Sequence, residues 1–214
     1  MHYRSEIDGL RALAIIPVVL FHAGGEFCSG GFLGVDIFFV ISGYLITGII
    51  VKETQENKFS VINFLTRRAR RILPPLYFMM FFVSIFYLLI ARPSVEECTL
   101  FGESLLSSVS FLSNFYFALN TGYFAASSEL LPFLHTWSLS VEEQFYLIYP
   151  PLLLIFLRLG KKFPIIFLLL IFFLSLALAQ SGSGILENGT FIFYQQEHGK
   201  FLWEHFAIFL REIL

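Results

Sequence analysis

Charge is what this chain has least of. Only 14% of its 214 residues are Asp, Glu, Lys or Arg, where a soluble domain carries about 25%, and 57% are hydrophobic. Too few polar residues remain to cover a water-exposed surface, which excludes an ordinary soluble domain. Disorder is excluded as well, because it needs low hydrophobicity and high net charge and the net charge here is -2. With 14 Lys and Arg against 16 Asp and Glu there is no global basic field, so nucleic acid is not an expected partner. Cysteine is nearly absent: Cys28 and Cys98 are too few for a disulfide framework, have no metal-ligand spacing, and read as small apolar residues. Glycine-rich phosphate loops are missing too, as are His-Glu-x-x-His and Gly-x-Ser-x-Gly. No metal is expected, and an anionic ligand has to be held by arginine side chains.

What fills the chain instead is apolar stretches. Crossing a hydrocarbon core of about 30 Å takes about 20 mostly apolar residues. Residues 35–51, 73–91, 145–157 with its polar start upstream, and 163–179 qualify most clearly. Residues 10–23 form a shorter window interrupted by Arg11 and Pro17, and residues 100–119 one diluted by serines and Asn114. The first window is not read as a cleaved signal, since Pro17 and His22 lie inside it and more windows follow. The fold class is therefore all-α, a polytopic helical integral membrane protein with about five to seven transmembrane helices. Lys52, Lys58, Arg67, Arg68, Arg70 and Arg71 mark one cytoplasmic loop, Arg158, Lys161 and Lys162 a second, and the N-terminus falls inside. A single crossing by 100–119 would put the second basic loop outside. That segment is expected to be re-entrant or to lie along the surface.

Ionisable groups in such surroundings are costly and point to function. Arg11 and His22 are eleven positions apart, so on an ideal helix they share one face about 16 Å apart, although Pro17 interrupts the bonding between them. The plain reading of Arg11 is a snorkelling residue paired with Asp8. Asp36 is either a carboxylate favoured by a helix N-terminus or a group that orients His22 across the outer turn. Ser42-Gly43-Tyr44 reads as a helix-packing point. Arg67, Arg68, Arg70 and Arg71 are topogenic charge or, since Arg68 and Arg71 are i,i+3 neighbours, an anion site. Ser140 with Glu143 fits a capping box, which leaves Glu142 and His135 as the residues suspected of chemistry or substrate binding. Trp137, Tyr146 and Tyr149 read as an interfacial aromatic belt, and the glycines at span ends as turn formers.

Four blocks carry a resemblance. They are Arg4 to Ala14 with Arg11 and His22; Gly34-Val35-Asp36-Ile37-Phe38-Phe39-Val40-Ile41-Ser42-Gly43-Tyr44; Arg68-x-x-Arg71 before Ile72-Leu73-Pro74; and His135-Thr136-Trp137-Ser138-Leu139-Ser140-Val141-Glu142-Glu143-Gln144-Phe145-Tyr146. Together they resemble the acyltransferase-3 family, bacterial inner-membrane O-acyltransferases that acetylate lipopolysaccharide O-antigen, peptidoglycan or exopolysaccharide. The resemblance covers residues 3 to 157 well; after that, Phe191 to Glu204 is only loosely similar to the family's later Trp-Glu segment. It implies that His22, Arg11 and Glu142 belong to the active site, with Asp36, His135 and Glu143 as supporting or substrate-binding residues. Arg68 and Arg71 would hold the phosphates of an acyl-CoA co-substrate, with no permanently bound cofactor. The bilayer, acyl-CoA and a surface glycan are the implied partners, and the N-terminus is cytoplasmic. His22 would act as general base or acyl relay, and Arg11 would stabilise developing charge. Because the family's bundle is larger and some members append an SGNH domain that has no counterpart here, residues 1–214 are expected to be the N-terminal part of a membrane domain, with a missing C-terminal half as a further partner. Two other readings stay open: half of a transporter or flippase, and an inactive truncated remnant.

Overall fold

The computed structural model describes residues 5–23, 30–120, 131–160 and 162–182. Every regular element among them is helical. In chain order they are α1 (Ser5–His22), α2 (Leu33–Gln55), α3 (Val61–Phe86, continued by a π-helical turn Tyr87–Ala91), α4 (Val95–Val109), α5 (Ser113–Asn120), α6 (Thr136–Leu159) and α7 (Phe163–Gly182). Among the described residues two helices are both long and apolar enough to cross a membrane, Leu33–Gln55 and Val61–Ala91. The outward side of α3 is the plainest apolar surface, with Phe78, Leu89 and Ile90 exposed by 67%, 69% and 74%. An apolar face of that extent has no place in water.

The 100–119 window does not make one helix. It breaks at Ser110–Leu112, where Phe111 takes a φ of 56°, into α4 of 15 residues and α5 of 8. These are about 22 Å and 12 Å long at 1.5 Å per residue, too short to cross on their own. Of the serines that dilute the window, Ser104, Ser108 and Ser113 face inward. Thr136 Oγ1 lies 2.7 Å from Ser108 Oγ and 3.0 Å from Ser113 Oγ, and Ser113 Oγ lies 2.7 Å from Ser140 Oγ. All four hydroxyl residues are buried. A hydroxyl removed from water is costly unless it is bonded, and here each finds a partner on another helix or on a nearby carbonyl. Asn114 and Gln144 exchange amide hydrogen bonds of 3.2 Å and 3.0 Å, and Gln144 Nε2 also donates to the carbonyl of Phe111 at 2.7 Å. The α4–α5 turn is thereby pinned to the first turns of α6.

The chain forms two compact units. One holds α1, α2, the end of α6 from Leu152 and α7; the other holds α3, α4, α5 and α6 up to Pro151.

Candidate active site

The first group of candidate residues stands on α1 and α2. These helices run antiparallel, and the contact between them is made by backbone. A Cβ on Gly34 would strike the carbonyl oxygen of Ala14 and come within 2.8 Å of Val18 Cγ2. One on Gly31 would strike the carbonyl of Pro17 and come within 2.8 Å of Phe21 Cβ. Gly34 is therefore a packing point rather than a turn former, and Gly31, in the turn before α2, is a packing point as well. Further along, the guanidinium of Arg11 sits 5.8 Å from the centre of the Phe38 ring and 3.9 Å from the Asp8 carboxylate, as the sequence expects for that pair. Its Nε is buried and has no hydrogen-bond partner among the described residues.

This register moves Asp36. With Ala14 opposite Gly34 and Pro17 opposite Gly31, Asp36 falls level with Arg11 and Ala12, both carboxylate oxygens buried. His22 is ten residues further along α1, about 15 Å away. Asp36 stands in the first turn of α2, where a carboxylate is favoured by the helix N-terminus, and its level on α1 is too far from His22 to orient it across the outer turn.

His22 ends α1 and is exposed. Its Nδ1 lies 2.8 Å from the carbonyl oxygen of Val18. A carbonyl can only accept, so Nδ1 carries the hydrogen, and in the neutral ring Nε2 keeps its lone pair. Ser42 Oγ is buried in α2 with no hydrogen-bond partner among the described residues.

The second group lies in the other unit. Arg68 is half-buried, with its guanidinium 4.7 Å from the centre of the Tyr146 ring and 5.7 Å from that of Phe64. Tyr146 donates its hydroxyl hydrogen to Glu142, one turn earlier on α6. Arg71, by contrast, is exposed.

Three expectations are corrected here. Ser140 caps nothing: α6 begins at Thr136, Ser140 is inside it, and its hydroxyl is taken by Ser113. Glu143 consequently has no capping role, and its Oε1 is buried without a hydrogen-bond partner among the described residues. Glu142, read as the unexplained carboxylate, is the one engaged. Trp137, Tyr146 and Tyr149 are 6%, 1% and 7% exposed, so they belong to the protein interior and not to an interfacial belt. Tyr146 is the participant that sequence reasoning missed; its i,i+4 spacing from Glu142 was the available signal. His135 is exposed just ahead of α6, while Cys28 lies outside the described residues.

The sequence matches the family model of an acyltransferase domain over residues 4–209. The chain belongs to the acyltransferase-3 family. The match extends the resemblance past residue 157 into α7 and beyond. Among curated members of this family, the chain is 41% identical over 162 residues to a peptidoglycan O-acetyltransferase, OatA, of Listeria monocytogenes, covering 75% of this chain and 26% of that protein. It is 37% identical over 150 residues to the O-acetyltransferase OatA of Staphylococcus aureus, covering 69% and 24%. The chain thus spans about a quarter of the length of the curated relatives it matches. No solved structure gives a significant match. The family and the apolar helices together make this a membrane protein.

Proposed function

We propose that this acyltransferase-3 chain takes part in moving an acetyl group from acetyl-CoA to hydroxyl groups of a cell-surface carbohydrate, with peptidoglycan the acceptor named for its relative at 41% identity. The chain acts in the bacterial cytoplasmic membrane as part of a multi-pass bundle, its N-terminus and the Arg67 to Arg71 cluster facing the cytoplasm. The observation that carries the chemistry is the His22 hydrogen bond to Val18, which leaves Nε2 as a base at the end of α1. In the reaction the acceptor hydroxyl oxygen attacks the thioester carbonyl carbon and its proton passes to Nε2. The tetrahedral adduct then collapses, the carbon–sulfur bond breaks, and the proton returns to the departing thiolate. An imidazole suits both transfers because its ordinary pKa is near neutrality.

Arg11 does not share that carbon. At about 16 Å along α1 from His22, it serves the donor's side of the passage, where its charge stands level with the buried carboxylate of Asp36. Donor and acceptor approach His22 from opposite faces of the membrane. The test is incubation of membranes holding the protein with acetyl-CoA labelled on the acetyl group. Label on the glycan is expected. Label left wholly on CoA, while glycan or coenzyme crosses the membrane, would establish transport instead.

A further inference from the structure

Sequence spacing joins Arg68 and Arg71 into one motif, and the structure separates them. Arg68 lies against the rings of Tyr146 and Phe64, which are 1% and 2% exposed, while Arg71 is exposed on α3. A guanidinium seated on two ring faces is fixed in place by them, whereas the exposed Arg71 can turn its fork toward a phosphate in solvent. Negative groups lie close to those rings. Tyr146 donates to Glu142, and the next residue, Glu143, feels both the negative charge of Glu142 and the positive charge of Arg68. Glu143 Oε1 has no hydrogen bond among the described residues to offset its burial. A buried carboxylate next to another is either protonated or held by a cation, and Arg68 supplies a cation close to this pair.

We propose that Arg68 is a positioning residue: it is the internal counter-ion that fixes Tyr146 and the Glu142–Glu143 pair at the head of the apolar part of α6, and Arg71 is the member of the motif that meets the phosphates of the acyl donor. The assignment of Arg71 rests on the donor reading above; that of Arg68 stands without it.

Thermal unfolding of the full chain in detergent, with Arg68→Gln, Arg71→Gln, Glu143→Gln and the pair R68Q/E143Q, tests the first part. R68Q is expected to lower Tm by about 3–8 °C and R71Q by no more than about 1 °C. The double variant should regain at least half of the R68Q loss, because the carboxylate left without a counter-ion has been removed. If R68Q fails to accumulate in membranes, accumulation of R68Q/E143Q is the same rescue. No rescue in either form, or equal losses for R68Q and R71Q, overturns the role of Arg68. Kinetics test the second part. Arg68→Lys should lower kcat about tenfold with KM for acetyl-CoA within about twofold, whereas R71Q should raise KM about tenfold. Equal KM increases for both would return Arg68 to the phosphate site. If the unaltered protein binds no coenzyme A, the donor reading fails, and the unfolding series still decides Arg68.

Discussion

Replacing Gly34 by alanine puts the α1–α2 contact under direct strain. The new Cβ would stand 2.8 Å from Val18 Cγ2 and 3.1 Å from the carbonyl carbon of Ala14, besides striking that carbonyl's oxygen. Carbon atoms pack best at about 3.5–4.0 Å, so α1 has to withdraw by about 1 Å. The obstacle is mostly backbone and cannot rotate aside. Overpacking of this kind costs about 1–3 kcal/mol, against a gain of about 0.5–1 kcal/mol for replacing a helical glycine by alanine. The contact wins by about 1–2 kcal/mol, which for a chain of this size lowers Tm by about 2–8 °C. Gly31→Ala meets the carbonyl of Pro17 and should behave alike. Gly102→Ala is the control: an added Cβ there has nothing within 4 Å, so only the helix gain remains and Tm should rise by about 1–4 °C. Circular dichroism on the detergent-solubilised protein reads all three. A Tm for Gly31→Ala and Gly34→Ala equal to or above that of the unaltered chain would refute close backbone packing. Retreat of α1 also carries Arg11 away from Phe38, so acetyl transfer should fall with Tm.

Two further outcomes concern α5 and α4. Ser113→Ala leaves the buried hydroxyls of Ser140 and Thr136 short of a partner and should cost about 1–3 kcal/mol in unfolding measurements; S113A/S140A together should cost less than the sum of the singles, and strict additivity would contradict a shared network. At the N-terminus of α4, Ser94 and Glu97 form a capping box, Glu97's backbone N–H bonding Ser94 Oγ at 3.3 Å and Ser94's backbone N–H bonding Glu97 Oε2 at 2.7 Å. These bonds, the backbone one foremost, hold the Glu97 carboxyl below its ordinary value. A depressed carboxyl stabilises above its unfolded value of about 4.3 and loses that contribution as pH falls through the folded one. Hydrogen-exchange protection at residues 95–98, taken relative to the intrinsic rate at each pH, should fall on acidification below about pH 4, and Glu97→Gln should remove that dependence on pH.

The two Ser-x-x-Glu sequences show what a sequence can and cannot convey. Ser94 follows Arg92-Pro93, which stops a helix, and it caps the next one. Ser140 follows Thr136-Trp137 in the same pattern and sits inside α6, because its hydroxyl is claimed by Ser113, a partner 27 residues away that no local pattern reveals. The positions of α2, α6 and α7, and of α3 from residue 73 on, were legible from apolar runs, whereas residues 61–72 with the four arginines, read as loop, are the start of α3. The break at Phe111 was not, since a left-handed φ at phenylalanine carries no turn signature. Tyr146 and Tyr149 look the same in sequence whether they edge a bilayer or fill an interior. Arg11, His22, Arg68 and the glutamates were visible as charges out of place. Which of them lie near one another was not, because Asp36 is brought level with Arg11 by the Gly31 and Gly34 contacts, and Arg68 is set on Tyr146 across α3 and α6 within their unit.

His22 supplies the most direct test of the catalytic account. His22→Gln keeps a polar side chain near Val18 and removes the basic nitrogen. Rates of acetyl transfer from acetyl-CoA to peptidoglycan should be compared at equal protein level in membranes. The expected result is a loss of about 100-fold or more, the usual contribution of a general base. Activity within about threefold of the unaltered protein would contradict the assignment of His22 as the base.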